Sequence, residues 1–210
     1  MSGSTDQIAA IVLAAGLSRR MGADNKLLLP YGGQPLVRHT ASTLLRAGFA
    51  RVVAVTGHDA PDVEKALAGL DIELCYNPDF AGGQMTSVVH GLRSLGDAPG
   101  PAMVALADMP YLQVSDYQAV AAAFHQHGGD RIIVPHFQQQ RGNPIILPTI
   151  DVQAAIAGDI NTGCRKLIRE HPDRVFAMPV DSSAFVRDID TSADYGRAVN
   201  SSISPAACCG

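Results

Sequence analysis

Short blocks of apolar residues alternate along this chain with longer segments of mixed polarity. Four blocks of strand length lie at residues 8–14, 51–55, 71–76 and 102–107; the first is a continuous apolar run rich in β-branched residues, and those at 51–55 and 102–107 are largely apolar. Such runs are typical of strands buried on both faces of a parallel sheet. Segments between them are predicted to be helices, at residues 35–47, 61–70 and about 88–95. This alternation of strand and helix predicts an α/β protein with a doubly wound, mostly parallel sheet.

The second half of the chain continues the pattern less regularly. Helices are predicted at residues 115–126, 150–157, 163–170 and from about residue 191. Strands are predicted at residues 131–135, 145–147, 174–180 and 185–190. We therefore expect one domain over residues 1–200, followed at residues 201–210 by a disordered tail rich in Ser, Pro and Ala.

Composition narrows the class of protein. The chain has 210 residues, 47% of them hydrophobic, which fits a single domain with a sizeable core. Its formal net charge of -4 gives no reason to expect a nucleic-acid surface. No apolar run reaches the length of a membrane span, and residues 1–7 lack the features of a signal peptide, so a cytoplasmic protein without a membrane partner is expected. The four cysteines form no C-x-x-C pair, so a structural zinc site is not expected.

Small residues and cations directly follow the first predicted strand. Residues 13–26 read Leu-Ala-Ala-Gly-Leu-Ser-Arg-Arg-Met-Gly-Ala-Asp-Asn-Lys. Gly16 lets the backbone approach a ligand closely, and amides of a turn can surround an anion. Arg19 offers a bidentate fork for phosphate, and Lys26 offers a compact charge. Because open α/β sheets bind ligands at the carboxyl ends of strands, this loop predicts a triphosphate site. The alternative is a glycine-rich turn with solvated cations.

Three further segments bring polar groups to predicted strand or helix ends. Gly83-Gln-Met-Thr-Ser87 precedes a helix, where free amides favour an anionic group, although ordinary N-capping explains the same residues. Asp108 follows a buried strand and, as a carboxylate, suits Mg²⁺; capping of a turn is its alternative. Asp188 and Asp190 share one face of the strand predicted at 185–190, because side chains alternate along a strand.

A resemblance to a known family starts in the first loop. Leu13-Ala-Ala-Gly-Leu-Ser-Arg-Arg-Met-Gly22, with Lys26 behind it, resembles the signature loop of the MobA-like nucleotidyltransferases related to the molybdenum cofactor enzymes. Its Ala14-Ala15-Gly16 is similar to the cytidylyltransferase (MocA-like) branch, since the guanylyltransferase branch more often has two glycines there. Four later segments resemble motifs of the superfamily in the expected order: Gly83–Ser87, Asp108–Pro110, Gly142–Pro144 and Asp188–Thr191. The resemblance covers about residues 8–195 and implies a Rossmann-like sheet of the nucleotidyltransferase type.

The resemblance also implies a role for each matching residue. Nucleotide binding falls to Leu13, Ala14, Ala15, Gly16, Ser18, Arg19, Lys26, Gln84 and Ser87. Among these, Arg19 and Lys26 are expected to hold the β- and γ-phosphates and, with Asp108, to form the catalytic set. Asp108 and Asp190 are the expected ligands of Mg²⁺, and Asp188 is the alternative to Asp190. Gly142 and Asn143 are expected beside the pocket for the second substrate. A methyl group at Ala15 is expected to narrow the base pocket and so to favour cytosine over guanine.

The implied reaction moves a nucleoside monophosphate from an NTP to a phosphorylated acceptor and releases pyrophosphate. The first choice is CTP with a molybdopterin-type acceptor, whose product a molybdoenzyme client would receive. A MobA-like guanylyltransferase and a methylerythritol-phosphate cytidylyltransferase are alternative enzymes. A non-catalytic accessory protein that binds the cofactor is the alternative from another class. The combination of Arg19, Lys26, Asp108 and Asp190 disfavours the accessory protein, because a carrier needs neither triphosphate contacts nor a metal.

Overall fold

A computed structural model of the chain describes residues 5, 7–21, 24–158, 168–169 and 171–202, with the backbone alone at residues 19, 201 and 202. The strands are β1 (Ala9–Ala14), β2 (Pro30–Tyr31), β3 (Gln34–Pro35), β4 (Arg51–Thr56), β5 (Glu73–Tyr76), β6 (Ala102–Leu106), β7 (Ile132–Phe137), β8 (Gln140–Arg141), β9 (Ile145–Leu147) and β10 (Val175–Val180). The helices are α1 (Leu36–Ala47), α2 (Ala60–Leu67), α3 (Gln84–Ser94), α4 (Val114–Gln126), α5 (Thr149–Ala157) and α6 (Ser192–Ser202). The helix predicted at 163–170 lies outside the described residues except at 168–169, as does the predicted tail beyond residue 202.

The central sheet is mostly parallel, as predicted. Its strands follow the order β10-β7-β9-β6-β1-β4-β5, and β8 pairs with β7. In the middle, β1 is parallel to both β4 and β6. The short strand β9 runs antiparallel between β6 and β7, so its first residues enter the sheet from the edge where the parallel strands end. The hairpin of β2 and β3 forms a separate two-stranded sheet.

Helices cover both faces of the sheet, which confirms the doubly wound α/β fold. Alternate residues of β1 point to opposite sides: Val12 joins a core with α1 and α4, whereas Ile11 joins a second core with α3 and α5. The helix α3 lies so close to β1 that a Cβ at Gly91 would be 2.6 Å from a methyl carbon of Ile11. Within the described residues, no helix has the length and apolar character needed to cross a membrane. That residues 1–200 form one domain stays a prediction.

The strand predicted at 185–190 is wrong. Ser183–Val186 is a 3-10 turn, and residues 187–190 after it belong to no strand of the sheet. The carbonyl of Phe185 accepts a hydrogen bond from the amide of Asn143 at 2.8 Å, and the amide of Ile189 donates to the carbonyl of Asp108 at 2.9 Å. The segment therefore bonds to two separate loops at the carboxyl edge instead of to one neighbouring strand.

Candidate active site at the carboxyl edge of the sheet

The central strands β1, β4 and β6 end side by side, so three loops begin at one edge of the sheet. The amide of Ala107 donates to the carbonyl of Leu13 at 3.2 Å, which joins the loop after β6 to the end of β1. On its other side, the buried hydroxyl of Thr40 in α1 donates to the carbonyl of Ala107 at 3.0 Å. These two contacts fix the backbone directly before Asp108. The predicted metal ligand therefore lies beside the predicted phosphate loop.

Lys26 connects the first loop to two of the predicted carboxylates. Its Nζ lies 2.6 Å from Oδ2 of Asp108 and 2.8 Å from Oδ1 of Asp190. Burial by itself lowers the pKa of Lys26, but the two carboxylates outweigh burial and leave the pKa above its usual value. The lysine is therefore charged, and it binds two acids that are far apart in the sequence.

Three carboxylates gather at this point. Asp108, Asp188 and Asp190 each offer one oxygen, and these oxygens lie within 4.8 Å of one another. Burial raises the pKa of Asp188, and the neighbouring charges of Asp108 and Asp190 raise it further. The Oδ1 atom of Asp108 is buried and has no hydrogen-bond partner among the described residues. A buried, unsatisfied carboxylate oxygen beside two further carboxylates is a donor set that fits a hard divalent cation.

The first residues of the first loop are buried, whereas the backbone in its middle is exposed. Leu13, Ala14 and Ala15 are buried, whereas a Cβ at Gly16 would have no heavy atom within 4 Å. The space at Gly16 is therefore open, and the predicted approach of a nucleotide to its backbone stays a prediction. Ser18 has a left-handed backbone with φ 47°, and its hydroxyl accepts a hydrogen bond from the amide of Lys26 at 3.3 Å. Ser18 therefore shapes the loop that presents Lys26.

Arg19 begins a 3-10 turn over Arg19–Met21, and its side chain lies outside the described residues, as do residues 22–23. Its role as a phosphate ligand stays a prediction. The neighbouring Arg20, which the sequence reasoning passed over, places Nη1 2.6 Å from Oδ2 of Asp190. Two adjacent arginines in an irregular loop have no periodicity that would tell which one faces the site.

Asn25 is a second site residue that sequence reasoning missed. It is buried, its Oδ1 accepts from the amide of Leu27 at 3.1 Å, and its Nδ2 donates to Oδ2 of Asp59 at 3.2 Å. Asn25 thus caps the short turn that carries Lys26 and attaches that turn to the loop after β4. An asparagine directly before Lys26 was the available signal, because asparagine is a preferred capping residue.

The second predicted loop is organised by Asn77, also absent from the predicted set. Asn77 is fully buried; its Nδ2 donates to the hydroxyls of Thr86 at 2.8 Å and Ser87 at 3.0 Å, and its Oδ1 accepts from the amide of Asp79 at 2.9 Å. Ser87 is therefore buried beneath the loop. Gln84, in contrast, is exposed at the first position of α3. That Gln84 and Ser87 contact the base stays a prediction, and the exposed position of Gln84 suits it better.

The methyl group of Ala15 lies between the first loop and the loop after β4. Ala15 is 4% exposed, and a Cβ at Gly57 would lie 2.8 Å from that methyl carbon and 2.6 Å from Cβ of Phe80. Ala15 is therefore packed between these loops, and the expected narrowing of the base pocket by its methyl group stays a prediction. The size of Ala15 sets how closely the loops that carry Gly57 and Phe80 approach the first loop.

Gly142 and Asn143 precede β9 at the same edge. The amide of Gly142 donates to the carbonyl of Pro135 at 2.7 Å, and a Cβ at Gly142 would overlap the carbonyl oxygen of Phe185. Because Asn143 also bonds to Phe185, these residues hold the segment that leads to Asp188 and Asp190. Contact of Gly142 and Asn143 with a second substrate stays a prediction, but their support of the carboxylate segment is visible.

Comparison with known proteins extends this description. The family model of the MobA-like NTP transferase domain matches residues 10–175. The nicotine blue oxidoreductase of Paenarthrobacter nicotinovorans is 29% identical over 201 residues, which cover 90% of this chain and 96% of that protein. The bifunctional protein GlmU of Novosphingobium aromaticivorans is 31% identical over 119 residues, which cover 56% of this chain and 26% of GlmU. The chain thus spans about a quarter of the length of the GlmU relative.

Solved structures share the fold over nearly the whole chain. A nucleotidyl transferase from Methanothermobacter has a TM-score of 0.80 at 24% identity and covers 94% of this chain and 98% of its own. Rv0371c from Mycobacterium tuberculosis has a TM-score of 0.78 at 25% identity, covering 95% and 100%, and its complex with manganese has a TM-score of 0.72 at 23% identity, covering 93% and 99%. A molybdopterin-guanine dinucleotide biosynthesis protein A from Archaeoglobus fulgidus has a TM-score of 0.68 at 20% identity, covering 92% and 97%.

Proposed function

The chain belongs to the MobA-like NTP transferase family, and we propose that it transfers CMP from CTP to a phosphorylated acceptor of the molybdopterin type. The superfamily resemblance of the sequence is thereby confirmed. One observation carries the proposal: Asp108, Asp188 and Asp190 bring oxygens within 4.8 Å of one another beside the buried cation of Lys26. Such an arrangement suits a reaction in which a polyphosphate and a divalent cation meet.

The proposed reaction requires little covalent participation by the protein. An oxygen of the acceptor phosphate attacks the α-phosphorus of CTP, the bond from that phosphorus to the oxygen bridging to the β-phosphorus breaks, and pyrophosphate leaves. The acceptor phosphate is already ionised near neutral pH, so no strong general base is needed. Positioning and neutralisation of charge then account for most of the rate.

Individual described residues are proposed to position the substrates and to neutralise charge. The open backbone at Gly16 admits the phosphates, and the cations of Lys26 and Arg20 can offset charge on the leaving pyrophosphate. Asp108, Asp188 and Asp190 would hold Mg²⁺, which supplies neutralisation of charge at the transferring phosphate when it is bound. Arg19 is proposed as a further phosphate ligand on the strength of the sequence motif.

Substrate choice is proposed from the sequence motifs and from the exposure of one side chain. The cytidylyl assignment is supported by the resemblance of Ala14-Ala15-Gly16 to the MocA-like branch, and Gln84 is the proposed base contact because it is exposed at the start of α3. Gly142 and Asn143 are proposed beside the acceptor. The molybdopterin-type acceptor is supported by that resemblance.

An oxidoreductase is a second candidate, because the relative from Paenarthrobacter nicotinovorans that aligns with 90% of this chain bears that name. Hydride transfer needs neither a cluster of three carboxylates nor a buried lysine bound to two of them. The carboxylate cluster therefore favours the transferase. A non-catalytic accessory protein is disfavoured by the same residues.

Release of pyrophosphate separates these candidates. We expect release from CTP in the presence of Mg²⁺ and a molybdopterin-type acceptor, with much slower release from GTP, ATP or UTP and none without an acceptor. Preference for GTP would replace the cytidylyl assignment by a guanylyl one. Oxidation of a reduced nicotinamide cofactor by nicotine blue, without release of pyrophosphate from any NTP, would establish the oxidoreductase instead.

A further inference from the structure

The carboxylate cluster already contains a cation that belongs to the protein. Nζ of Lys26 lies within 2.8 Å of oxygens from both Asp108 and Asp190, and the second oxygen of Asp190 binds Arg20 at 2.6 Å. The lysine side chain is 10% exposed, whereas that of Arg20 is 72% exposed. Lys26 is thus the enclosed cation between the two acids, and Arg20 lies at the rim.

We infer that Lys26 is the resident cation of this cluster and that it leaves Asp108 and Asp190 when a divalent cation binds. The inference rests on the metal site of the proposed function. Lys26 contacts the triphosphate only after the divalent cation has displaced it from the two acids. Metal binding and nucleotide binding therefore favour each other. In the metal-free protein, the lysine offsets part of the negative charge of the acids.

Two observations make displacement the expected outcome. The oxygens that Lys26 uses, Oδ2 of Asp108 and Oδ1 of Asp190, belong to the acids that a divalent cation needs, and two cations at one small site repel each other. The backbone of Lys26 is meanwhile fixed, because its amide bonds to Ser18 and the preceding Asn25 caps the turn. The flexible four-carbon side chain can therefore move while the loop stays in place.

Displacement couples two binding equilibria. A divalent cation that binds alone must break the contacts of Lys26 and leave the ammonium without an anion. When a triphosphate is present, the freed ammonium gains a new partner, so the nucleotide should strengthen metal binding and the metal should strengthen nucleotide binding by the same factor. A lysine that merely stabilised the loop would add nothing to the coupling that direct contact between metal and triphosphate provides.

Manganese provides a probe that requires no turnover. Binding of Mn²⁺ is measured by electron paramagnetic resonance without nucleotide, for wild type, Lys26→Met, Lys26→Arg and Lys65→Met. Lys65 is exposed on α2 and is the matched control. We expect Lys26→Met to bind Mn²⁺ about ten- to a hundredfold more tightly than wild type, the factor that corresponds to a hydrogen bond with a charged group. Lys65→Met should match wild type, and Lys26→Arg, which keeps the charge, should bind more weakly than Lys26→Met.

Repetition with a non-reactive CTP analogue measures the coupling. The analogue should tighten Mn²⁺ binding in wild type by a larger factor than in Lys26→Met. Equal or weaker Mn²⁺ binding by Lys26→Met without nucleotide would overturn the inference and leave the metal site of the proposed function intact. Failure of every variant to bind Mn²⁺ would overturn both. If Lys26→Met does not melt cooperatively, Lys26→Gln, with the same expected results, replaces it.

Discussion

Replacement of Asn77 by alanine should destabilise the protein and loosen the loop before α3. The side chain of Asn77 is fully buried and makes three hydrogen bonds, at 2.8, 3.0 and 2.9 Å, to Thr86, Ser87 and Asp79. Each such bond contributes a net stability of about 0.5–1.5 kcal/mol. In the variant, the hydroxyl of Thr86 still donates to the carbonyl of Asp79 at 3.0 Å, so it keeps one hydrogen bond after Asn77 is lost. We therefore expect Asn77→Ala to lower the free energy of unfolding by about 2–4 kcal/mol.

Denaturation by urea and by heat measures this loss. For a chain of about 200 residues, the expected loss corresponds to a fall in Tm of roughly 4–16 °C. Asn200→Ala, at an exposed position of α6, is the matched control and should change stability by less than about 0.5 kcal/mol. A loss below about 1 kcal/mol in Asn77→Ala would refute the reasoning, since it would mean that the three bonds are replaced or contribute little.

Three further predictions test the packing of the edge, the open backbone at Gly16 and an ion pair of the sheet. Gly142→Ala should destabilise the fold by about 1–3 kcal/mol, because its Cβ would overlap the carbonyl oxygen of Phe185. Gly16→Ala should keep wild-type stability and weaken nucleotide binding. Thermal melts and nucleotide titrations distinguish the two outcomes. The hydrogen bonds and charge of Arg51 lower the pKa of Glu73, so the Glu73 carboxylate stabilises the fold above its ordinary pKa of 4.5 and loses this contribution as the pH falls through the lower folded value. Glu73→Gln should therefore be less stable than wild type by up to about 1 kcal/mol at neutral pH. Denaturation at a series of pH values should show that this difference in stability disappears as the pH falls below 4.5. A difference that stays constant with pH would contradict the role of the Glu73–Arg51 ion pair.

The sequence predicts the central sheet and the position of the site well, because both follow from local patterns. The apolar runs at β1, β4 and β6 are each long enough to identify a buried strand, and Asp108 directly follows one of them. The topology of parallel strands then brings the loop of Lys26 next to Asp108 without further information.

Other features depend on contacts between distant segments. The residues before Asp190 resemble a strand, but hydrogen bonds from Asn143 and to Asp108 determine their actual path. Ser87 reads as a ligand residue, yet its hydroxyl is used by Asn77. The antiparallel direction of β9 is similarly set by its place between β6 and β7. No local periodicity encodes such pairings.

The central claim is that Asp108 holds a divalent cation for nucleotidyl transfer, and Asp108→Asn tests it most directly. Pyrophosphate release from CTP with acceptor is measured against Mg²⁺ concentration, together with the thermal melt. Since loss of a residue that merely supports a metal ligand typically costs 10–100-fold, we expect loss of the ligand itself to reduce Mg²⁺-dependent turnover by at least about a hundredfold. The melt should stay within a few degrees of wild type. Wild-type turnover with an unchanged Mg²⁺ requirement, or a variant that no longer folds, would contradict the claim.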